Sequence, residues 1–314
     1  MSKHDTGFIK ILVLLFCLGL IQLTNTACTK LQSANSKNQI DAQNLSGIMG
    51  GTKVFETDLL AKKVFYLAIN SSLIKTPSGL AARQDSFCSA IVLSPQVVLT
   101  AAHCVENVLP ENINLIEGVS PWLSPLNPER WHQSTDILIH PKFKKNSPDY
   151  DLALLKLNRP LSGGSVVTIY DQDPNQLFIA LAGYGFRINS IRSGADDSSQ
   201  SNDVLKNNSG ELFYITQLLQ NYSVNNLTFF FEKSSAETVC IGDSGGPALI
   251  YNEQTQNFAA LGLLSGSVQF VSSQQNAQFM DQDFCSETPV YSNLRHPEIR
   301  HWIDRSLNQL LDIK

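Results

Sequence analysis

The stretch Gly242-Asp243-Ser244-Gly245-Gly246-Pro247 constrains this 314-residue chain more than any other. A serine set among glycines, beside an acid and ahead of a proline, suits neither a helix nor a packed strand interior. Glycine lets the backbone take positive φ and lets another group come close. Here that freedom would expose the Ser244 hydroxyl and turn neighbouring N–H groups toward one point. A nucleophile beside an oxyanion hole needs that layout. The same residues also read as a Gly-Ser turn without chemistry, so the serine has to find partners elsewhere in the chain.

Two partner sets compete. Gly242-x-Ser244-x-Gly246 matches the nucleophile elbow of α/β-hydrolases, whose acid and histidine follow the serine. An elbow runs on into a helix, but Gly245-Gly246-Pro247 is a poor helix start and Ala248-Leu249-Ile250-Tyr251 reads as a strand. The downstream histidines, His296 and His301, lie in a polar C-terminal helical pattern. Upstream, Thr100-Ala101-Ala102-His103-Cys104 follows an apolar run, and Asp149-Tyr150-Asp151-Leu152-Ala153-Leu154-Leu155 puts an acid at the mouth of a strand. The order His103, Asp151, Ser244 is that of the chymotrypsin-type triad. On these three motifs, residues 48–314 resemble the chymotrypsin/trypsin family of serine proteases.

Short β-like runs dominate the rest: Val64 to Ile69, Ser89 to Leu93, Val97 to Leu99, Phe229 to Phe231, Ala248 to Tyr251 and Ala259 to Leu264. Few helical patterns accompany them, which predicts an all-β fold. The resemblance narrows this to two six-stranded antiparallel β-barrels with the active site in the cleft between them. Barrel one then covers about 48–170, with Val166 to Tyr170 ending it, and barrel two about 171–294. Ile137-Leu138-Ile139-His140-Pro141 matches the family's strand before the aspartate, so His140 reads as structural, whereas His132 reads as a surface residue. Gly183-Tyr184-Gly185 stands where the family has Gly-Trp-Gly. Residues 191–210 read as a surface loop, and Gln269 to Asp283 as a polar insertion beside the substrate pocket. From His296 to Leu311 apolar residues recur at helical spacing, which predicts a C-terminal helix within about 295–314.

The N-terminus reads as an export signal over residues 1–27. Lys3 and Lys10 flank a polar start, and Ile11 to Leu23 is an apolar run of thirteen residues, short for a membrane span. Export implies an oxidising compartment in which cysteines pair. The resemblance pairs Cys88 with Cys104 and Cys240 with Cys285. Cys28 is left over, just after Thr26-Ala27, which resembles a bacterial lipoprotein cleavage site except for Asn25 where leucine is usual. Two readings of Cys28 stay open: a lipid anchor to a bacterial membrane, or a spare cysteine after ordinary cleavage. Residues 28–47 are polar and irregular and read as a tether or pro-segment.

The resemblance assigns the chemistry residue by residue. Ser244 is the nucleophile, His103 the base and Asp151 its orienting acid, with the N–H groups of Gly242 and Ser244 as the oxyanion hole. Ile48-Met49-Gly50-Gly51 is similar to the family's mature start, so cleavage after Gly47 would free an amine at Ile48 to pair with Asp243. Thr238 lies at the base of the substrate pocket where trypsin-like members carry aspartate; Ser265, Gly266 and Ser267 form one wall and Pro289 narrows another. An uncharged side chain is therefore the expected preference. The net charge of -5 offers no basic face for nucleic acid. No metal-binding cysteine pair or His-Glu-x-x-His motif is present, and no cofactor is implied. Protein or peptide substrates and a monomer are expected. The competing class is a protease-like binding protein without activity, but such relatives usually lack a triad member.

Overall fold

The computed structural model describes residue 48 and residues 50–76, 79–121, 127–175, 177–185, 210–232, 237–253, 255–270, 277–280 and 287–312. The signal and tether, Cys28, Asp281, Asp283 and Cys285 lie outside the described residues, as does nearly all of the 191–210 loop.

The first half carries β1 (Thr52–Lys53), β2 (Val64–Ile69), a hairpin of β3 (Ser72–Thr76) and β4 (Gly79–Arg83), then β5 (Ser86–Ser94) and β6 (Val97–Thr100). The short helix α1 (Ala102–Val105) follows, then β7 (Ile113–Ile116), β8 (Trp131–Ile139) and β9 (Ala153–Leu157). Six of these strands close a barrel in the order β2-β5-β6-β9-β8-β7. Every residue of β2 is buried, because its two faces serve two cores. Phe65, Leu67 and Ile69 pack with Val98, Leu115 and Leu155 of the other barrel strands. Val64, Tyr66 and Ala68, on the opposite face, join Leu99, Ala182 and Leu249 with the C-terminal Trp302 and Ile303. Each fully buried large apolar side chain contributes about 1.5–3 kcal/mol.

The second half carries β10 (Thr168–Ile169), β11 (Phe178–Gly183), β12 (Phe213–Leu218), β13 (Thr228–Phe230), β14 (Pro247–Asn252), β15 (Asn257–Phe270), β16 (Ala277–Met280) and β17 (Thr288–Asn293). With β1 they make a nine-stranded sheet along the path β1-β12-β11-β14-β15-β17-β13, while β10 and β16 pair with β15. Among the described residues this path stays open, so the closed barrel seen here is the first one. β10 does not end that barrel as expected; Thr168 and Ile169 lie parallel to Ala259 and Ala260 of β15. β1 likewise pairs with β12. Both segments are too short to carry a readable pattern, so their partners are set by where the chain crosses over. The expected insertion begins as regular structure, with Gln269 opposite Gln278 and Phe270 opposite Ala277 in a β15–β16 ladder.

His132 is not on the surface. It is fully buried on β8, and its Nε2 lies 2.6 Å from Glu117 Oε1. A polar strand sequence hid this, since the acid that offsets its burial comes from just beyond β7.

The C-terminal helix α2 (Pro297–Leu310) forms as expected. Proline at its first position and Glu298 in its first turn favour that end. Ile299, Trp302, Ile303 and Leu310 form its buried stripe.

Candidate active site

His103 leaves the barrel on α1, immediately after β6. Asp151 grips it twice: Oδ1 accepts the His103 backbone N–H at 2.9 Å, and Oδ2 faces Nδ1 at 2.6 Å. A third bond fixes the acid, as Ser265 Oγ donates to Asp151 Oδ2 at 2.6 Å. Asp151 is 2% exposed while the His103 side chain is 33% exposed. The acid is thus sealed, while the imidazole is partly exposed.

Asp151 is braced from behind. The preceding residue, Tyr150, takes a left-handed φ of 60°, an uncommon conformation for a bulky residue. Its hydroxyl donates to Glu298 Oε2 of α2 at 2.6 Å, and its ring stacks on His140 at 4.6 Å. His140 also meets Trp302 at 4.8 Å. Burial pushes its pKa down to about 4, so the ring is neutral at physiological pH, in keeping with a structural role. The C-terminal helix therefore reaches the site through Tyr150 and His140.

The disulfide Cys88–Cys104 ties β5 to α1 with an S–S distance of 1.99 Å. Cys104 Sγ lies 3.7 Å from His103 Nε2. Cys88, His103 and Cys104 are the one metal-like grouping among the described residues, but both sulfurs are spent in the disulfide and offer no thiolate. Cys240 is also disulfide-bonded; its expected partner, Cys285, lies outside the described residues.

The Ser244 turn sits against the histidine's segment. Gly245 has φ +76°, and a Cβ there would lie 2.3 Å from Ser89 O and 2.4 Å from Thr100 Oγ1, with Ala101 N at 3.0 Å. Gly242 has φ +93°, and a Cβ there would meet the Phe87 ring at 2.2 Å. Only glycine fits either place. The turn's other groups are held: Asp243 N–H donates to Cys240 O at 3.1 Å, Gly245 N–H to Leu264 O at 2.8 Å and Gly246 N–H to Asp243 O at 2.7 Å. The N–H groups of Gly242 and Ser244 find no such acceptor among the described residues. Ser244 is 4% exposed, and no hydrogen bond joins its hydroxyl to His103 among the described residues; such bonds are often long until substrate arrives.

Asp243 is fully buried. Gly185 N–H donates to its Oδ1 at 2.7 Å and Cys240 N–H to its Oδ2 at 2.8 Å. Burial pushes its pKa up to about 7 against the pull of those two donors. No cation is bonded to it among the described residues. Ile48 is also fully buried, in the second half's core with Ile179, Leu181 and Tyr291.

Of the expected pocket residues, Ser265 is better described by its bond to Asp151. Ser267 lies opposite Pro289 across the β15–β17 ladder, and Gly266 opposite Val290. Thr238 and Ser267 are buried, and the hydroxyl of each has no hydrogen-bond partner among the described residues. Sequence reading missed Ser89. It bonds both the turn and Tyr184, and nothing beyond a polar residue in an apolar strand marked it.

The closed barrel, the clamped His–Asp pair and the glycine-framed serine define a chymotrypsin-like β protein. The trypsin family profile matches residues 74–282, and the chain belongs to that family. It is 23% identical over 181 residues to a trypsin of Saccharopolyspora erythraea, covering 57% of this chain and 74% of that one. To vitamin K-dependent protein C of Mus musculus it is 24% identical, covering 52% of this chain and 37% of the relative. Venom serine protease 34 of Apis mellifera is 25% identical, with 57% and 45% covered. Family membership supports a serine-type peptidase that acts on proteins.

Proposed function

We propose that the protein is a serine endopeptidase with His103, Asp151 and Ser244 as its triad. The observation that carries this is the double grip of Asp151 on His103 beside a turn whose Gly242 and Ser244 N–H groups find no acceptor among the described residues. Ser244 Oγ attacks the scissile carbonyl carbon and His103 takes its proton. The Gly242 and Ser244 N–H groups bind the oxyanion, each worth about 3 kcal/mol in comparable proteases. His103 then protonates the departing amine, and water hydrolyses the acyl-enzyme by the same route. Asp151 holds the histidine tautomer and stabilises the imidazolium. The nine-stranded sheet serves as the second barrel wall of the cleft.

Export through residues 1–27, a lipid on Cys28 and activation by cleavage between Gly47 and Ile48 complete the reading. The substrate side chain entering beside Thr238 is uncharged, since a buried Lys or Arg needs a carboxylate and a hydroxyl cannot supply one. Support comes from Thr238 and Ser267, uncharged residues whose hydroxyls have no hydrogen-bond partner among the described residues.

Fluorophosphonate labelling and casein hydrolysis, measured on wild-type and Ser244→Ala protein, test the assignment. Wild-type protein is expected to take the label on Ser244. The variant should lose label and all but a trace of turnover, with its thermal transition nearly unmoved. Turnover above a few per cent in clean variant protein would sink the triad.

A further inference from the structure

The geometry points to Ser89 as a positioning residue for the oxyanion hole, an inference that rests on the peptidase reading above. Ser89 lies on β5 beside Cys88 and is fully buried. Its backbone N–H donates to Ser244 O at 2.7 Å. Its hydroxyl donates to Gly242 O at 3.2 Å. One residue thus holds the carbonyls of the two residues whose N–H groups would bind the oxyanion.

Those carbonyls matter because each belongs to a rigid peptide plane. The 242–243 plane is pinned at both ends, by Ser89 Oγ at Gly242 O and by Cys240 O at the Asp243 N–H. The 244–245 plane is pinned at both ends too, by the Ser89 N–H at Ser244 O and by Leu264 O at the Gly245 N–H. Between them, Gly246 N–H holds Asp243 O at 2.7 Å. With these planes fixed, little rotation remains for the Gly242 and Ser244 N–H groups. Gly242 is the joint that most needs holding, since glycine alone imposes no preferred φ.

The Ser89 hydroxyl is itself aimed. It accepts the Tyr184 N–H at 3.2 Å while donating to Gly242 O, so its proton is committed to the turn. Thr100 Oγ1 donates to Ser89 O at 2.8 Å, which fixes the strand next to the histidine's helix. The same Gly183–Gly185 segment that holds Asp243 through Gly185 N–H thereby holds Gly242 through Ser89. Preorganised donors act only if they already point at the developing charge. Ser89 acts on the transition state through Gly242 and touches no substrate.

Ser89→Ala, compared with wild type both as the full chain and as protein beginning at Ile48, removes the hydroxyl and keeps the backbone bond to Ser244. The expected result is a fall of about tenfold in kcat on casein, with KM within twofold. The second-order rate of fluorophosphonate labelling should fall by a similar factor, because its transition state uses the same hole. Ser89→Thr, which keeps the hydroxyl, should recover most of the rate, and Ser89→Gly should match alanine. A folded alanine or glycine variant with unchanged kcat, or a loss confined to KM, overturns the role. If wild-type protein neither hydrolyses casein nor takes the label, whether uncut or beginning at Ile48, the peptidase reading fails, and this inference with it.

Discussion

Ser265 Oγ donates a 2.6 Å hydrogen bond to Asp151 Oδ2, the oxygen that also faces His103 Nδ1. Strand β15 of the second half thereby holds the acid that aims a histidine of the first. Ser265→Ala leaves a buried carboxylate oxygen short of a donor, which costs about 1–3 kcal/mol. A lowered melting temperature and a kcat/KM on casein reduced about tenfold are expected. An unchanged melting temperature would show that water replaces the hydroxyl without loss.

Gly185 predicts a sharper defect. A Cβ there would stand 2.5 Å from Asp243 Oδ2, and one at Gly183 2.3 Å from Oδ1. The carboxylate is slotted between two residues without side chains, so Gly185→Ala has to push Asp243, and with it Ser244, out of place. Loss of at least a hundredfold in kcat/KM is expected, with a destabilisation of about 1–3 kcal/mol. Near-normal kinetics in Gly185→Ala would mean that the turn tolerates movement of Asp243.

These two positions show what the sequence could and could not reveal. The pairing of His103 with Asp151 and the glycine-framed turn at Ser244 were legible because each sits in a short motif whose residue types make little sense as packing. The apolar strands and helix α2 were legible from their periodicity. The contacts of Ser265 and Ser89 were not, since a serine in an apolar strand says nothing about which distant carboxylate or carbonyl it will meet. His132 was misread for the same reason, as its partner Glu117 is an isolated acid on another part of the barrel. Pairing of β1 and β10 with the second half was hidden because two-residue strands have no period to read.

Glu117 supplies a prediction about acid. It accepts bonds from His132 Nε2 at 2.6 Å, from the Ser162 N–H and hydroxyl at 2.9 and 2.8 Å, and from the Gly163 N–H at 3.1 Å. Burial works to raise its pKa, but the bonds from His132 and Ser162 outweigh it and hold the group down to about 2. A folded pKa below the unfolded value of about 4.5 means stability that is fully present above pH 4.5 and lost as pH falls through 2. Glu117→Gln should be less stable at pH 7 and should lose that part of the acid dependence between pH 4.5 and 2. Parallel melting curves for both proteins across this range would refute the assignment.

Asp243 gives the opposite slope, and with it a test of activation. In the uncut chain its two partners are backbone N–H groups, and burial pushes its pKa up to about 7 from an unfolded value near 3.8. A raised carboxyl pKa costs nothing below the unfolded value, where both states are protonated, and costs the full amount above the folded one. The precursor should therefore lose stability as pH rises from about 4 to about 7, and Asp243→Asn should abolish that loss. If cutting between Gly47 and Ile48 frees an amine that pairs with Asp243, as the proposed activation requires, the carboxylate gains the counter-charge without which a lone buried charge costs several kcal/mol. Protein beginning at Ile48 should show a melting temperature that no longer falls over this range. N-terminal sequencing of the active fraction, set beside melting curves of cut and uncut protein at pH 4, 5.5 and 7, makes the comparison. Full activity in protein that retains residues 29–47, with the same pH dependence before and after cutting, would defeat activation at Ile48 and leave Asp243 a structural acid.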